Sequence, residues 1–171
     1  MKKFELTSEF VTFLGKKLFR IKALISFGNV KEGELGGFVE KEENLDQYGN
    51  AWVYGDAWVY GNARVSGNAE VFGNARVSGN AWVSGNAWVS GNAKVFGNDD
   101  YATVHGFGSE YRTTTFFRTK AGEIGVRCGC FYGTLEEFRA KIKETHGETK
   151  TAKEYLMVAD LMEFRFSKEE A

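Results

Sequence analysis

GNAWVY, GDAWVY, GNARVS, GNAEVF, GNARVS, GNAWVS, GNAWVS and GNAKVF follow one another without a break from Gly49 to Phe96, and Gly97-Asn98 opens a further unit. The constant positions decide the fold. Alanine recurs every sixth residue from Ala51 to Ala93, and valine does the same at Val53, Val59, Val65, Val71, Val77, Val83, Val89 and Val95. In the tetrad A-x-V-x, alanine and valine share one face of a short strand and the variable residues share the other. Gly-Asn accepts the backbone angles of a corner. A small residue and a β-branched one on the inner face suit a narrow interior. No single hexad can bury that face alone, so coils must stack, and the eight valines form the structural core of the repeat. A meander of hairpins is the competing arrangement. Hairpin turns favour Asn-Gly, whereas the order here is Gly-Asn, and a meander leaves the Ala/Val face without a closed core.

This pattern resembles the hexapeptide-repeat family, in which an aliphatic residue is followed four places on by a small one, as at Val53 and Ala57. The resemblance implies a left-handed parallel β-helix of triangular section with three hexads to a coil. The preceding stretch IKALISFGNVKEGELGGFVEKEENLDQYGN (21–50) resembles the lead-in of repeat proteins found in phage and prophage genomes. TTTFF (113–117) and CGCFYGTLEEF (128–138) resemble the tail of the same group.

Outward from the repeat, three regions are expected: 1–48, 49–98 and 99–171. In the first, residues 4–27 read as two strands, FVTFL and LFRIKALISF, around a turn at Gly15-Lys16-Lys17. LGGFVE (35–40) and NLDQ (44–47) read as pieces of a degenerate first coil, the atypical end unit of a solenoid. In the third, 101–131 alternates Thr, Phe, Tyr and Val with glycine and reads as short strands. Thr134-Leu-Glu-Glu137 is a capping box opening a helix with Leu135, Phe138 and Ile142 on its apolar face, ended by Gly147. Thr151-Ala-Lys-Glu154 is a second box, before the stripe Tyr155, Val158, Ala159, Met162. The fold class is therefore mainly β: a left-handed solenoid opened by an N-terminal β hairpin and closed by a small C-terminal α+β cap over its open end.

Charge narrows the partners. The net charge is −1, and it is balanced by region: 8 basic and 8 acidic residues in 1–48, 3 and 2 in the repeat, 11 and 13 in 99–171. No segment is a basic arm, which argues against broad nucleic-acid binding or binding to an anionic membrane. No apolar run is long enough to span a bilayer, and Glu5 and Glu9 stand where a secretory leader needs an apolar core. The expected location is the cytoplasm, and the phage resemblance implies that of a bacterial host. Cys128 and Cys130, placed on one face of one strand, are expected to be free thiols; C-x-C is half a zinc site and a poor disulfide.

Function is sought on the outer faces. With i and i+18 stacked, Trp52, Glu70 and Trp88 share a column beside Tyr54, Phe72 and Ser90. Trp58, Arg76 and Lys94 share the next, beside Tyr60, Ser78 and Phe96. Arg64 and Trp82 share the third, beside Ser66 and Ser84. All four tryptophans of the chain point outward. Such a patch is uncommon on a monomer. Trp52, Tyr54, Trp58 and Tyr60 are expected to lie under the N-terminal hairpin. Trp82 and Trp88, with Glu70, Phe72 and Arg64, are the candidate interaction surface. Its partner could be another copy of the chain, a host protein or a small nucleotide ligand. Catalysis has less support. Hexapeptide-repeat acyltransferases use a histidine as general base, and residues 49–98 contain none; the two histidines are His105 and His146. His105 reads as an ordinary surface or core residue, and His146 as a helix C-terminal cation. No catalytic, cofactor-binding or metal-binding residues are assigned. The expected function is a non-enzymatic, oligomeric binding scaffold, such as a phage counter-defence inhibitor that binds a host immune protein or sequesters a signal nucleotide. An acyl-coenzyme A dependent transferase and a purely structural or virion protein are the alternatives.

Overall fold

A computed structural model describes residues 1–167. The chain divides into two compact units, Met1–Asn98 and a second that begins at Asp99. No helix among the described residues is long and apolar enough to cross a membrane.

The first unit opens with β1 (Phe4–Phe13), β2 (Lys16–Ala23) and β3 (Leu35–Val39), then a 3-10 turn at Glu42–Asn44. Eight two-residue strands follow, one per hexad: β4 (Trp52–Val53), β5 (Trp58–Val59), β6 (Arg64–Val65), β7 (Glu70–Val71), β8 (Arg76–Val77), β9 (Trp82–Val83), β10 (Trp88–Val89) and β11 (Lys94–Val95). Parallel pairing joins every third strand: β4-β7-β10, β5-β8-β11 and β6-β9. Trp52 pairs with Glu70 and Glu70 with Trp88, so one coil is eighteen residues, or three hexads. The fold is a parallel β-solenoid. Ala and Val of every hexad are at most 1% exposed and fill its interior. The corners need glycine. At Gly49, φ is 71°, and a Cβ would sit 2.5 Å from the Gly67 carbonyl oxygen of the next coil.

The hairpin does more than precede the coils. β1 and β2 pair antiparallel, β2 pairs with β3, and β3 continues in parallel onto β5, giving one six-stranded sheet β1-β2-β3-β5-β8-β11. The strand boundaries differ from the sequence reading. β1 starts at Phe4 rather than Phe10, β2 ends at Ala23, and the turn is Leu14-Gly15 rather than Gly15-Lys16-Lys17. Leu14 (φ 51°) and Gly15 (φ 76°) are both left-handed, the pattern of a two-residue hairpin turn, and this leaves Lys16 and Lys17 to pair with Phe13 and Thr12.

The first coil is longer than the rest. Phe38 and Leu45 pair twenty residues ahead, with Trp58 and Val65. The register is eighteen again at Trp52, so two extra residues lie between Leu45 and Trp52. Gln47 in that bulge holds the chain start: its Oε1 accepts from the Lys3 and Phe4 amides at 2.7 and 3.3 Å, and its Nε2 donates to the Phe4 carbonyl at 3.3 Å.

Within the stack, corner carbonyls accept from amides one coil earlier. The Gly67 and Ala69 carbonyls accept from the Asn50 and Trp52 amides, and those of Gly79 and Ala81 from Asn62 and Arg64. The coil that begins at Gly49 has only the partial first coil before it, and side chains take the missing place. The Lys3 ammonium donates to the carbonyls of Ala51 (2.8 Å), Gly49 (3.4 Å) and Tyr48 (3.5 Å). The Asn44 amide donates to those of Ala63 (2.8 Å) and Gly61 (3.2 Å), and Arg20 Nη1 reaches that of Gly55 at 3.4 Å. Lys3, Asn44 and Arg20 thus supply donors at the three corners of the first end.

Lys3 is 2% exposed, and its ammonium also lies over the Phe27 ring at 4.8 Å. Burial pushes its pKa down from 10.5 to about 8, against the opposing pull of Asp46. Between those values the folded chain holds fewer protons than the unfolded one, so stability rises with pH. Tyr54 acts with the other sign. Its phenol is pushed up from 10.0 to about 12, first by burial and then by Glu70 and Glu34, so stability falls as pH climbs above 10.0. The denaturant midpoint of the first unit is therefore expected to rise from pH 8 toward 10 and fall beyond it. Lys3→Met should lose the rising limb. A midpoint that is flat from pH 8 to 10 in the unaltered protein would show that Lys3 does not titrate there.

The second unit is a four-stranded antiparallel sheet, β12 (Tyr101–Phe107), β13 (Arg112–Arg118), β14 (Ile124–Cys128) and β15 (Phe131–Thr134), followed by α1 (Leu135–His146) and α2 (Lys150–Phe166). Phe116 and Val126 of the sheet pack with Leu135, Phe138 and Ile142 of α1 and with Tyr155, Ala159 and Met162 of α2. Thr134 and Glu137 form the capping box of α1, and Gly147 closes it. α2 starts earlier than its sequence suggests. Thr149, not Thr151, is the cap, its hydroxyl accepting from the Ala152 amide, and Thr151 lies within the helix. Cys128 ends β14 while Gly129 and Cys130 form the turn to β15, so the thiols do not share one strand; Cys128 is half-buried and Cys130 exposed.

Candidate interaction surface

The aromatic residues of the solenoid differ sharply in cover. Trp52 is 0% exposed, with Phe4 and Phe27 against it at 6.2 and 5.3 Å. Phe13 of the hairpin meets Trp58 at 5.1 Å and Tyr60 at 5.6 Å. The Arg76 guanidinium also lies over Trp58, 3.4 Å from the ring centroid. Burial lowers the Arg76 pKa from its ordinary value, and its Nη1 has no hydrogen-bond partner.

Glu70, Phe72 and Trp88 lie on one face. Tyr54, Phe72 and Trp88 form an edge-to-face series with centroids 6.5 and 6.4 Å apart. Glu70 stands between Trp52 and Trp88 in the ladder and hydrogen-bonds the Tyr54 phenol. All three candidate residues on this face are half-buried. Ser90, beside them, is 2% exposed.

Arg64 and Trp82 lie on the neighbouring face, paired across β6 and β9. Trp82 is 52% exposed, the most open of the four tryptophans, and its orientation is fixed. Its indole Nε1 donates to Ser66 Oγ at 2.9 Å, and its backbone amide donates to Asn98 Oδ1 at 2.8 Å. The Arg64 guanidinium lies 5.5 Å from the ring centroid and is itself 3.8 Å from Asp46. An indole held by a hydrogen bond and a cation, with half its surface open, loses little side-chain freedom on meeting a partner. The five candidate residues are thus divided between two faces, three half-buried on one and an exposed Arg–Trp pair on the other.

His105, in β12, is exposed, with Nδ1 2.8 Å from Thr113 Oγ1. His146 ends α1 and stacks on Tyr155 at 6.2 Å. That stack borders a cavity in the second unit which also includes Arg112 and Cys128. Sequence reading missed it, because its lining is spread from Phe107 to Tyr155 with no fixed spacing. The one local signal is glycine at two turns, Gly108 and Gly129.

A search among curated proteins finds no match to the chain. The family model described as the YdcK beta solenoid repeat matches residues 57–71 and 69–85. That similarity falls inside the coils described above, and the chain is a β-solenoid repeat protein.

Proposed function

We propose that the protein is a non-catalytic binding scaffold of the hexapeptide-repeat kind, and that copies of it associate through the face that carries Trp82 and Arg64. The observation that carries this is the fixed, half-exposed indole of Trp82. Burying its open half in an interface would contribute roughly 1 kcal/mol or more. Tryptophan and arginine are the residue types that dominate interface energies. The half-buried Phe72 and Trp88 on the adjoining face extend the apolar area, with Glu70 as a polar neighbour. The repeat itself supports a non-catalytic reading, since residues 49–98 contain no histidine to act as the base of an acyltransferase. The flanks' likeness to phage and prophage proteins supports a setting in the cytoplasm of an infected bacterium. There, an oligomeric scaffold would act by occupying a host defence protein or a signal nucleotide.

The test is the double variant Trp82→Ala, Trp88→Ala, followed by light scattering and circular dichroism. The expected result is a fall in mass to a single chain that remains folded. A mass unchanged from that of the unaltered protein would remove self-association through this surface. If mass is constant but capture of a bacterial protein by the unaltered chain is lost, the same surface serves a different partner.

A further inference from the structure

The cavity in the second unit is independent of the solenoid and of the reading just given. Its volume is about 240 Å³. That is below the 300–1,000 Å³ of typical drug-sized sites, and too small for a nucleotide. Phe107, Phe131, Phe138, Ile142 and Tyr155 provide apolar and aromatic walls, with Cys128 beside them. Among the described lining residues, Arg112, Lys141 and His146 stand at its border with a single carboxylate, Glu110.

Two glycines give its polar groups their room. Gly129 has φ 57°, and a Cβ there would collide with Nη1 of Arg112, so the guanidinium packs closely against the β14–β15 turn. Gly108 has φ 79°, and a Cβ there would collide with the Tyr155 hydroxyl. Among the described residues no carboxylate forms a salt bridge with Arg112. Lys141 has only a loose pairing with Glu144 at 3.7 Å, both largely exposed. The Tyr155 phenol hydrogen-bonds Cys128 and is pushed up to about 12, chiefly by burial, so near neutral pH it keeps its proton.

We propose that this cavity binds a small molecule with a flat apolar body and an oxyanion head, a carboxylate or a phosphate. The body lies against the Phe107, Phe131 and Phe138 rings. The head takes the two-pronged hydrogen bonds that a guanidinium offers to such oxygens, from Arg112. Lys141 adds positive charge, and no covalent step is involved.

Cys128 reports on occupancy and Cys130 serves as an internal control. The full chain is treated with iodoacetamide and the alkylation rate of each thiol is followed by peptide mass, in the presence of millimolar phenylacetate, phenyl phosphate, benzyl alcohol or inorganic phosphate. Phenylacetate or phenyl phosphate should slow alkylation at Cys128 and leave Cys130 unchanged; the more effective of the two identifies the head group. Benzyl alcohol and inorganic phosphate should each protect less. Arg112→Gln should raise the concentration needed for protection by about tenfold or more, the loss expected for one charged hydrogen-bonding partner. Absence of protection by both organic anions would overturn the proposal. So would equal protection by benzyl alcohol or by inorganic phosphate, because then either the head or the body is superfluous. These wild-type comparisons stand even if the variant folds poorly. Unchanged protection in a folded Arg112→Gln chain would remove Arg112 from the site.

Discussion

Val77→Asp is expected to leave no soluble, folded solenoid. Val77 is 0% exposed in β8, the middle strand of the β5-β8-β11 series, with Val59 and Val95 as its neighbours above and below. A carboxylate in that column meets alanine and valine side chains on the inner face and no cation. An unpaired buried charge costs several kcal/mol. A domain of this size has about 5–15 kcal/mol of stability in total. The coils cannot relax around the insertion, because eighteen-residue register ties each inner residue to the coils on both sides. Val77→Thr serves as the control. It has nearly the same shape and exchanges one buried methyl for a hydroxyl, so it should fold with a lower melting temperature. Soluble Val77→Asp protein with an unaltered circular dichroism spectrum and melting curve would sink the inward assignment of the valine column.

Asn44→Leu should have the next largest effect. Asn44 is 0% exposed, and its amide supplies two hydrogen bonds to carbonyls of the second coil while its oxygen accepts from the Lys41 amide at 2.9 Å. Leucine preserves the approximate volume and strips three backbone groups of their partner. Each buried group left unsatisfied costs about 1–3 kcal/mol, and some will recover a water at this end. A total near 3 kcal/mol is expected, read as a lower denaturant midpoint at unchanged slope. Asn44→Asp should be worse than leucine despite its closer shape, since it places carboxylate oxygens against the Gly61 and Ala63 carbonyls. If aspartate is tolerated better than leucine, the amide is not acting as a donor to those carbonyls.

The repeat was legible because each hexad carries the same instruction: two inner residues, two outer, two for the corner. Elements that depend on one residue's local choice were read less well. The start of α2 offers two threonines, Thr149 and Thr151, and only the hydroxyl that reaches a free amide, that of Ala152, marks the true cap. At the hairpin, Leu14 adopts a left-handed angle that leucine rarely takes, so the turn was read one residue late, from Gly15 onward. Cover of Trp52 by the N-terminal segment was readable, but not which side chains supply it, since Phe4 and Phe27 reach it only once the hairpin has folded. Lys3 was the least legible residue. It lies 48 positions from the Ala51 carbonyl it serves, and a lysine next to the chain start reads as solvated. The cavity around Arg112 and Tyr155 presents the same difficulty, since its walls come from four strand ends and two helices.

The side chains that close the first end of the solenoid are matched to a single layer, yet they place no limit on how many layers follow. Near-identical hexads in tandem are prone to duplication and loss in the gene. A gain or loss of three hexads adds or removes one layer, about 4.8 Å of height, and leaves the closing side chains and the face of every later outer residue unchanged. A gain of one hexad instead shifts all later outer residues to the next face, separating Arg64 from Trp82 and Glu70 from Trp88. Variation in height is therefore tolerated in steps of eighteen residues, while steps of six rewrite the surface, so natural selection can tune reach and recognition through the same copying error.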